Sequence, residues 1–247
     1  MATYAAMVSR MDQAVGEVLA AVKKRGRPTC ILFLSDNGAD PFSVVDAAML
    51  KQGKLPGDLR SNYQPGFGWA YAANTPWRLY KISQHGGGVT SGAIFWQSNQ
   101  VQSSQVSSAP LHVVDIAPTM LKLAGQSQEK GNGVSFSKAE SGFKRPLFFQ
   151  YVDNRAIRTH RWTLAEVDDA GWELFDASLD PFERNDLSKK HPQIVARMAA
   201  QWNNWWKREN SGKPYRPVST QKSPHYSPQG DRGTGAVYRP SRMPEDK

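Results

Sequence analysis

Five consecutive apolar residues, Cys30-Ile31-Leu32-Phe33-Leu34, run directly into the polar cluster Ser35-Asp36-Asn37-Gly38. A run this short and this rich in strand formers predicts a buried parallel strand that delivers its polar residues to the carboxyl end of a sheet. In open α/β sheets that end is where ligands bind. Asp36 and Asn37 are hard oxygen donors, of the kind that suits calcium or magnesium better than zinc. The same Asp-Asn-Gly run also makes an ordinary turn after a strand. The run by itself leaves both readings open.

Upstream, Tyr4, Met7, Met11, Val15, Val18, Leu19 and Val22 recur at three- and four-residue spacing, which predicts an amphipathic helix. Lys23, Lys24 and Arg25 suit its C-terminal dipole, Gly26 can cap it, and Pro28 blocks continuation. Helix, turn and strand make an α/β unit, and the strand calls for parallel neighbours that the preceding residues cannot supply. Residues 39–75 lack sustained periodicity, as expected of a long loop that walls a site. Ala93-Ile94-Phe95-Trp96 reads as a strand, residues 97–109 as a Ser- and Gln-rich surface linker, and Asp115 as the N-cap of a helix running to Leu123.

The texture changes near Arg145. Residues 146–151, 155–158, 162–167 and 172–175 are short strand candidates, with Asp168-Asp169-Ala170-Gly171 as a hairpin turn. Pro192 to Lys207 reads as a helix whose Ile194, Val195, Met198, Trp202, Trp205 and Trp206 cover one face of that small antiparallel sheet. From Asn210 onward the chain holds six prolines and no apolar rhythm, and a disordered or loosely wrapped basic tail is expected. The expected division is 1–144, 145–209 and 210–247.

Composition excludes more than it assigns. The net charge is +9, but nine Lys and Arg against four Asp and Glu fall from Lys207 onward, so the rest of the chain is ordinarily charged and nucleic acid is not an expected partner. The single cysteine, Cys30, is expected to be a small core residue. No stretch approaches the length of a membrane span, and Met1 to Ala20 does not resemble a secretory signal. Gly-x-Ser-x-Gly, a Walker loop and zinc-spaced His or Cys pairs are all missing from the sequence.

The order of several motifs says more than any one of them. Met7-Val8-Ser9-Arg10-Met11-Asp12 precedes Leu34-Ser35-Asp36-Asn37-Gly38. Asn74-Thr75-Pro76-Trp77-Arg78-Leu79-Tyr80-Lys81, His85-Gly86-Gly87-Gly88 and His112-Val113-Val114-Asp115 follow. Arg155-Ala156-Ile157-Arg158, Trp162 and Trp172-Glu173-Leu174-Phe175-Asp176 come last. Across residues 4–207 this series resembles the C-terminal half of type I sulfatases, especially the arylsulfatase branch. The resemblance implies part of an alkaline-phosphatase-like α/β domain followed by a small C-terminal domain with a four-stranded antiparallel sheet and a covering helix. It implies hydrolysis of sulfate esters, aryl or carbohydrate, by a formylglycine and one calcium ion. It casts Asp36 and Asn37 as calcium ligands, Lys81 as the lysine that contacts the sulfate, and His85 as a further catalytic candidate. Asp12, His112 and Asp115 fall at positions taken to be structural.

The departures from the family pattern carry expectations too. Gly86-Gly87-Gly88 stands where the family has Glu-Gly-Gly, and the sequence holds no Cys/Ser-x-Pro-x-Arg from which formylglycine is made. Cys30, followed by Ile-Leu-Phe-Leu, cannot stand in for it. Asp36 and Asn37 offer at most about three of the 6–8 oxygens calcium wants. The expectation is therefore a sulfatase portion without its nucleophile, inactive alone, whose further partner is the N-terminal half of such a protein. Two alternatives remain: a phosphatase or phosphodiesterase of the same superfamily, and a non-catalytic binding remnant with a basic tail. Against the first, two-zinc relatives typically carry His where this chain has Asn37.

Overall fold

A computed structural model of the chain describes residues 1–42, 47–59, 61, 63–64, 66–98, 106–107, 110–126, 131–136, 145–168 and 170–217. Asp169 of the expected hairpin turn, most of the expected linker and the tail after Pro217 lie outside the described residues.

Helix α1 (Ala2–Arg25) forms as its periodicity predicts and ends at Gly26, whose φ of 64° is the left-handed C-cap conformation glycine adopts without penalty. None of its residues is buried: Tyr4, Met7, Met11 and Val18 all present their side chains outward. Strand β1 (Cys30–Leu34) forms where expected but is half-buried, with Phe33 42% exposed, and Cys30 is partly exposed rather than a core residue.

The pairing of β1 departs from the expected parallel arrangement. Its neighbour is β2 (Ala93–Gln97), antiparallel, in a register from Cys30 opposite Gln97 to Leu34 opposite Ala93. The reason lies in the chain between them. The Gly38 amide donates to the Gly88 carbonyl (3.0 Å) and the Ser91 hydroxyl donates to the Ser35 carbonyl (2.8 Å). The chain therefore returns beside the end of β1, not its start, and β2 can only run backwards along it. The long stretch after β1 is also less irregular than expected. It holds two short helices, α2 (Ala47–Lys51) and α3 (Phe67–Asn74), before the single-turn helix α4 (Gly86–Val89).

Helix α5 (Ile116–Leu123) is entered through a 3-10 turn at Val113–Asp115, and its start is capped differently from the expectation. His112 Nδ1 accepts from the Val114 amide, and Asp115 reaches back to the His112 amide (3.0 Å). Asp115 is thus the reciprocal partner of a capping box, not a simple N-cap. Its carboxylate also accepts from the Val134 amide (2.7 Å) and pairs with Arg145 (2.5 Å). Burial lowers the pKa of His112, partly opposed by Asp115, which keeps Nδ1 free to accept.

Four strands then form one antiparallel sheet in sequence order: β3 (Leu147–Tyr151), β4 (Asn154–Arg158), β5 (Trp162–Glu166) and β6 (Glu173–Asp176). Helix α6 (Pro192–Glu209) covers one face, where Ile157, Leu164, Leu174, Met198 and Trp202 make the core. Trp202 is fully buried, stacks on Trp206 (5.6 Å) and donates its indole N–H to the Phe149 carbonyl (3.1 Å). The expected loose tail starts later than Asn210, because Tyr215 packs edge-on against Trp202 and Trp206.

The opposite face of the sheet is covered as well. Alternation places Asn154, Ala156, Arg158, Ala165, Glu173 and Phe175 there. Ala156 and Ala165 are paired and fully buried, leaving room for the loop of residues 78–86 to lie close. The sheet is thus sandwiched between α6 and the loop that carries Lys81.

Candidate functional site

The end of β1 and the Lys81 loop meet at one junction. The Lys81 amide donates to the Ala39 carbonyl (3.1 Å), two residues past Asn37. Its ammonium lies 3.6 Å from Asp40 Oδ2, with the Lys81 side chain 39% exposed. A pair this exposed is worth at most about 1 kcal/mol, so the ammonium stays available to an incoming anion.

A carboxamide holds the junction together. Asn74, at the end of α3, accepts from the Ala39 amide through Oδ1 (3.1 Å) and donates through Nδ2 to the Leu79 (2.9 Å) and Gly87 (2.7 Å) carbonyls. One side chain therefore joins the strand end, the Lys81 loop and the glycine triplet. The glycines allow the segments to come this close. A Cβ on Gly38 would lie 1.7 Å from the Gly87 carbonyl oxygen, and one on Gly87 would lie 2.0 Å from that of Leu79. At Gly86, a Cβ would sit 2.7 Å from the Trp77 ring, which packs edge-on against Phe182 at 5.1 Å. That contact gives a local reason for glycine at the first position of the triplet.

Asp36 is exposed and Asn37 half-buried at the end of β1. Among the described residues neither side chain is engaged in a hydrogen bond or ion pair, which leaves their oxygens open. Their donor chemistry suits calcium, but no group of three or more His, Cys, Asp or Glu able to hold a metal occurs among the described residues. The fit is right in kind and short in number, since two residues cannot complete a calcium shell.

His85 lies apart from these groups. It is fully buried, with Nδ1 3.0 Å from the Ser83 hydroxyl and Nε2 2.9 Å from Glu173 Oε2. Both ring nitrogens are satisfied and the ring packs on Phe175 (5.8 Å). The backbone of Lys81 meets the chain two residues past Asn37, its ammonium faces Asp40, and His85 turns toward the C-terminal sheet. Glu173 also binds Arg78 (2.9 Å). Burial pushes its carboxyl pKa upward, but the His85 and Arg78 contacts outweigh that and hold it below the usual value. The Cys30 thiol is raised by burial, the wrong direction for a nucleophile.

Comparison with known proteins agrees with this architecture. The sulfatase family model matches residues 1–126. An uncharacterized sulfatase of Schizosaccharomyces pombe is 29% identical over 235 residues, covering 82% of this chain and 42% of that protein. The arylsulfatase of Klebsiella aerogenes is 28% identical over 145 residues, covering 53% of this chain and 30% of that one. Among solved structures, BT4656 in complex with its substrate D-glucosamine-2-N,6-O-disulfate superposes with a TM-score of 0.56 at 18% identity, over 84% of this chain and 40% of that one. The chain thus spans less than half the length of each. At such identity the superposition speaks for the fold, a mixed α/β arrangement with a four-stranded antiparallel sheet and covering helix. With a family match that extends over half its length, the chain belongs to the sulfatase family.

Proposed function

We propose that this chain supplies part of the active centre of a sulfate ester hydrolase. The observation that supports the reading is the hydrogen bond between the Lys81 amide and the Ala39 carbonyl, which ties the Lys81 loop to the chain two residues past Asn37, with the Lys81 ammonium paired only loosely to Asp40. In this reading Lys81 donates to a sulfate oxygen and steadies the charge that develops on the transferring group. Asp36 and Asn37 contribute two of the oxygen ligands of a calcium site whose other ligands come from elsewhere in a sulfatase fold. The nucleophile, a formylglycine in this family, also comes from elsewhere, because the 247 residues hold no Cys/Ser-x-Pro-x-Arg. The outward apolar residues of α1, and Phe33 and Ile94 paired across the two-stranded ribbon, are apolar surface that such a remaining part would cover. The substrate class is an aryl or carbohydrate sulfate ester, consistent with the sulfated sugar bound to a structural neighbour. No described helix is long and apolar enough to cross a membrane.

The test is turnover of an aryl sulfate in calcium by the purified chain, alone and mixed with a polypeptide carrying the nucleophile half of a sulfatase. The expected result is no phenol release alone, and calcium-dependent release on mixing that Lys81→Met abolishes. Sustained release by the chain alone, lost in Asp36→Ala, would overturn the division of roles.

A further inference from the structure

Lys81 sits between two residues in the left-handed backbone region, Leu79 (φ 61°) and Ile82 (φ 84°). For β-branched Ile82 that conformation is a steric outlier and persists only where surrounding contacts impose it. Some are local, with Asn74 on the Leu79 carbonyl, Ala39 on the Lys81 amide and Gln84 Nε2 on the Ile82 carbonyl (3.0 Å), and the others come from the C-terminal sheet and the turn after it. Glu173, on β6, divides its carboxylate between the two ends of the loop: Oε1 accepts from Arg78 Nη2 and Oε2 faces His85 Nε2, both at 2.9 Å. Glu183, only 2% exposed, accepts from the Gly86 amide through Oε2 (2.9 Å) and from Arg158 Nη2 through Oε1 (2.6 Å). Its carbonyl accepts from Arg78 Nη1 (3.4 Å). Asn154 Nδ2 donates to the carbonyl of Ile82 itself (3.3 Å). Among these contacts none is made by the Lys81 side chain, so the sheet acts on that residue only through its backbone.

We infer that Glu173, on β6, and Glu183, in the turn that follows β6, are positioning residues that fix the Lys81 loop, making the sheet and that turn part of the site's scaffold. At Glu183 both partners, Arg158 and the Gly86 amide, are donors, so a carboxamide could accept from only one of them through its oxygen while its NH2 opposed the other, and at both residues the carboxylate's charge offsets the arginine's in a buried setting. That the Lys81 ammonium is a sulfate contact rests on the proposed function. The fixing of the loop does not.

Hydrogen exchange on the full chain decides between this role and a purely structural one. Glu173→Gln and Glu183→Gln are compared with Asp176→Asn, a buried β6 carboxylate whose partners Arg161 and Ser178 lie away from the loop. The expected result is exchange about tenfold faster at the Lys81, Gly87 and Gly88 amides in each Gln variant, as for loss of a charged hydrogen bond. Core amides of β4 and α6 keep their wild-type rates, and Asp176→Asn leaves the loop unchanged. Unchanged loop exchange in the Gln variants, or acceleration spread equally over β4–β6, overturns the inference. If Glu183→Gln does not fold, Arg78→Lys gives the same readout, since it keeps the charge and loses the fork. A parallel titration with inorganic sulfate separates the two readings. Lys81→Met removes binding if the functional reading holds, and Glu173→Gln weakens it about tenfold if the loop is held as inferred. Sulfate binding that ignores Lys81→Met sinks the functional reading alone, and the exchange data still decide on the loop.

Discussion

Replacing Asn74 by alanine removes three hydrogen bonds at once: the Ala39 amide loses its acceptor, and the Leu79 and Gly87 carbonyls lose their donor. Each such bond is worth about 1 kcal/mol net, and a part-buried amide left unsatisfied costs more, so the expected destabilisation is about 2–4 kcal/mol. Asn74→Asp keeps the acceptor for Ala39 but sets a second oxygen against two carbonyl oxygens, 2.9 and 2.7 Å away. It is expected to be at least as damaging as alanine, although it is the closer isostere. Urea unfolding followed by circular dichroism measures both, with an unchanged slope showing that the folded and unfolded states are otherwise alike. An Asn74→Ala loss below about 0.5 kcal/mol would refute the reasoning, since that is the ordinary effect of an exposed substitution. So would an Asp variant clearly milder than Ala, because the donors would then not matter.

The remaining predictions concern the core, the glycine contacts and acid. Trp202→Ala, which empties the centre of the α6 face, should cost about 3–5 kcal/mol, read as a fall in thermal midpoint, with Trp202→Phe losing less. Gly87→Ala would drive a Cβ to 2.0 Å from the Leu79 carbonyl oxygen, so a loss of about 1–3 kcal/mol is expected in the same unfolding assay. The folded-state pKa of Glu173 lies below its ordinary 4.5, so its contribution is fully present above that value and is lost as pH falls through the folded pKa. Glu173→Gln should therefore flatten the acid limb of a stability–pH profile below about pH 5 while leaving the neutral limb's shape unchanged.

Much of this fold is written in local patterns. The three- and four-residue spacing of α1 and α6, and the turns between β3, β4, β5 and β6, are signals confined to a few neighbours, and they form where the periodicity puts them. The direction of β2 is not local. It follows from where the chain returns, and that depends on the Gly38–Gly88 contact. Helix α3 is hidden because Phe67-Gly68-Trp69-Ala70-Tyr71 is apolar all round and contains glycine, so no amphipathic period shows. Asp36, Asn37 and Lys81 stand out through the order of their motifs. The groups that hold them do not: Asn74 reaches Gly87, Glu173 reaches His85 and Glu183 reaches Gly86, each across a span of sequence without any pattern linking the two ends. His85 shows the limit of motif reading, because the same His-Gly-Gly run serves equally a ring facing substrate or one locked between Ser83 and Glu173.

The measurement closest to the central claim is a titration of the purified chain with terbium, a luminescent stand-in for calcium, in the presence and absence of sulfate. The account predicts weak binding, with a dissociation constant on the order of 1 mM because the ligand set is incomplete. Asp36→Ala should abolish it, and Lys81→Met should leave it intact while removing the effect of sulfate. Terbium binding that survives Asp36→Ala and Asn37→Ala unchanged, or that responds to sulfate without Lys81, would contradict a shared site at the end of β1.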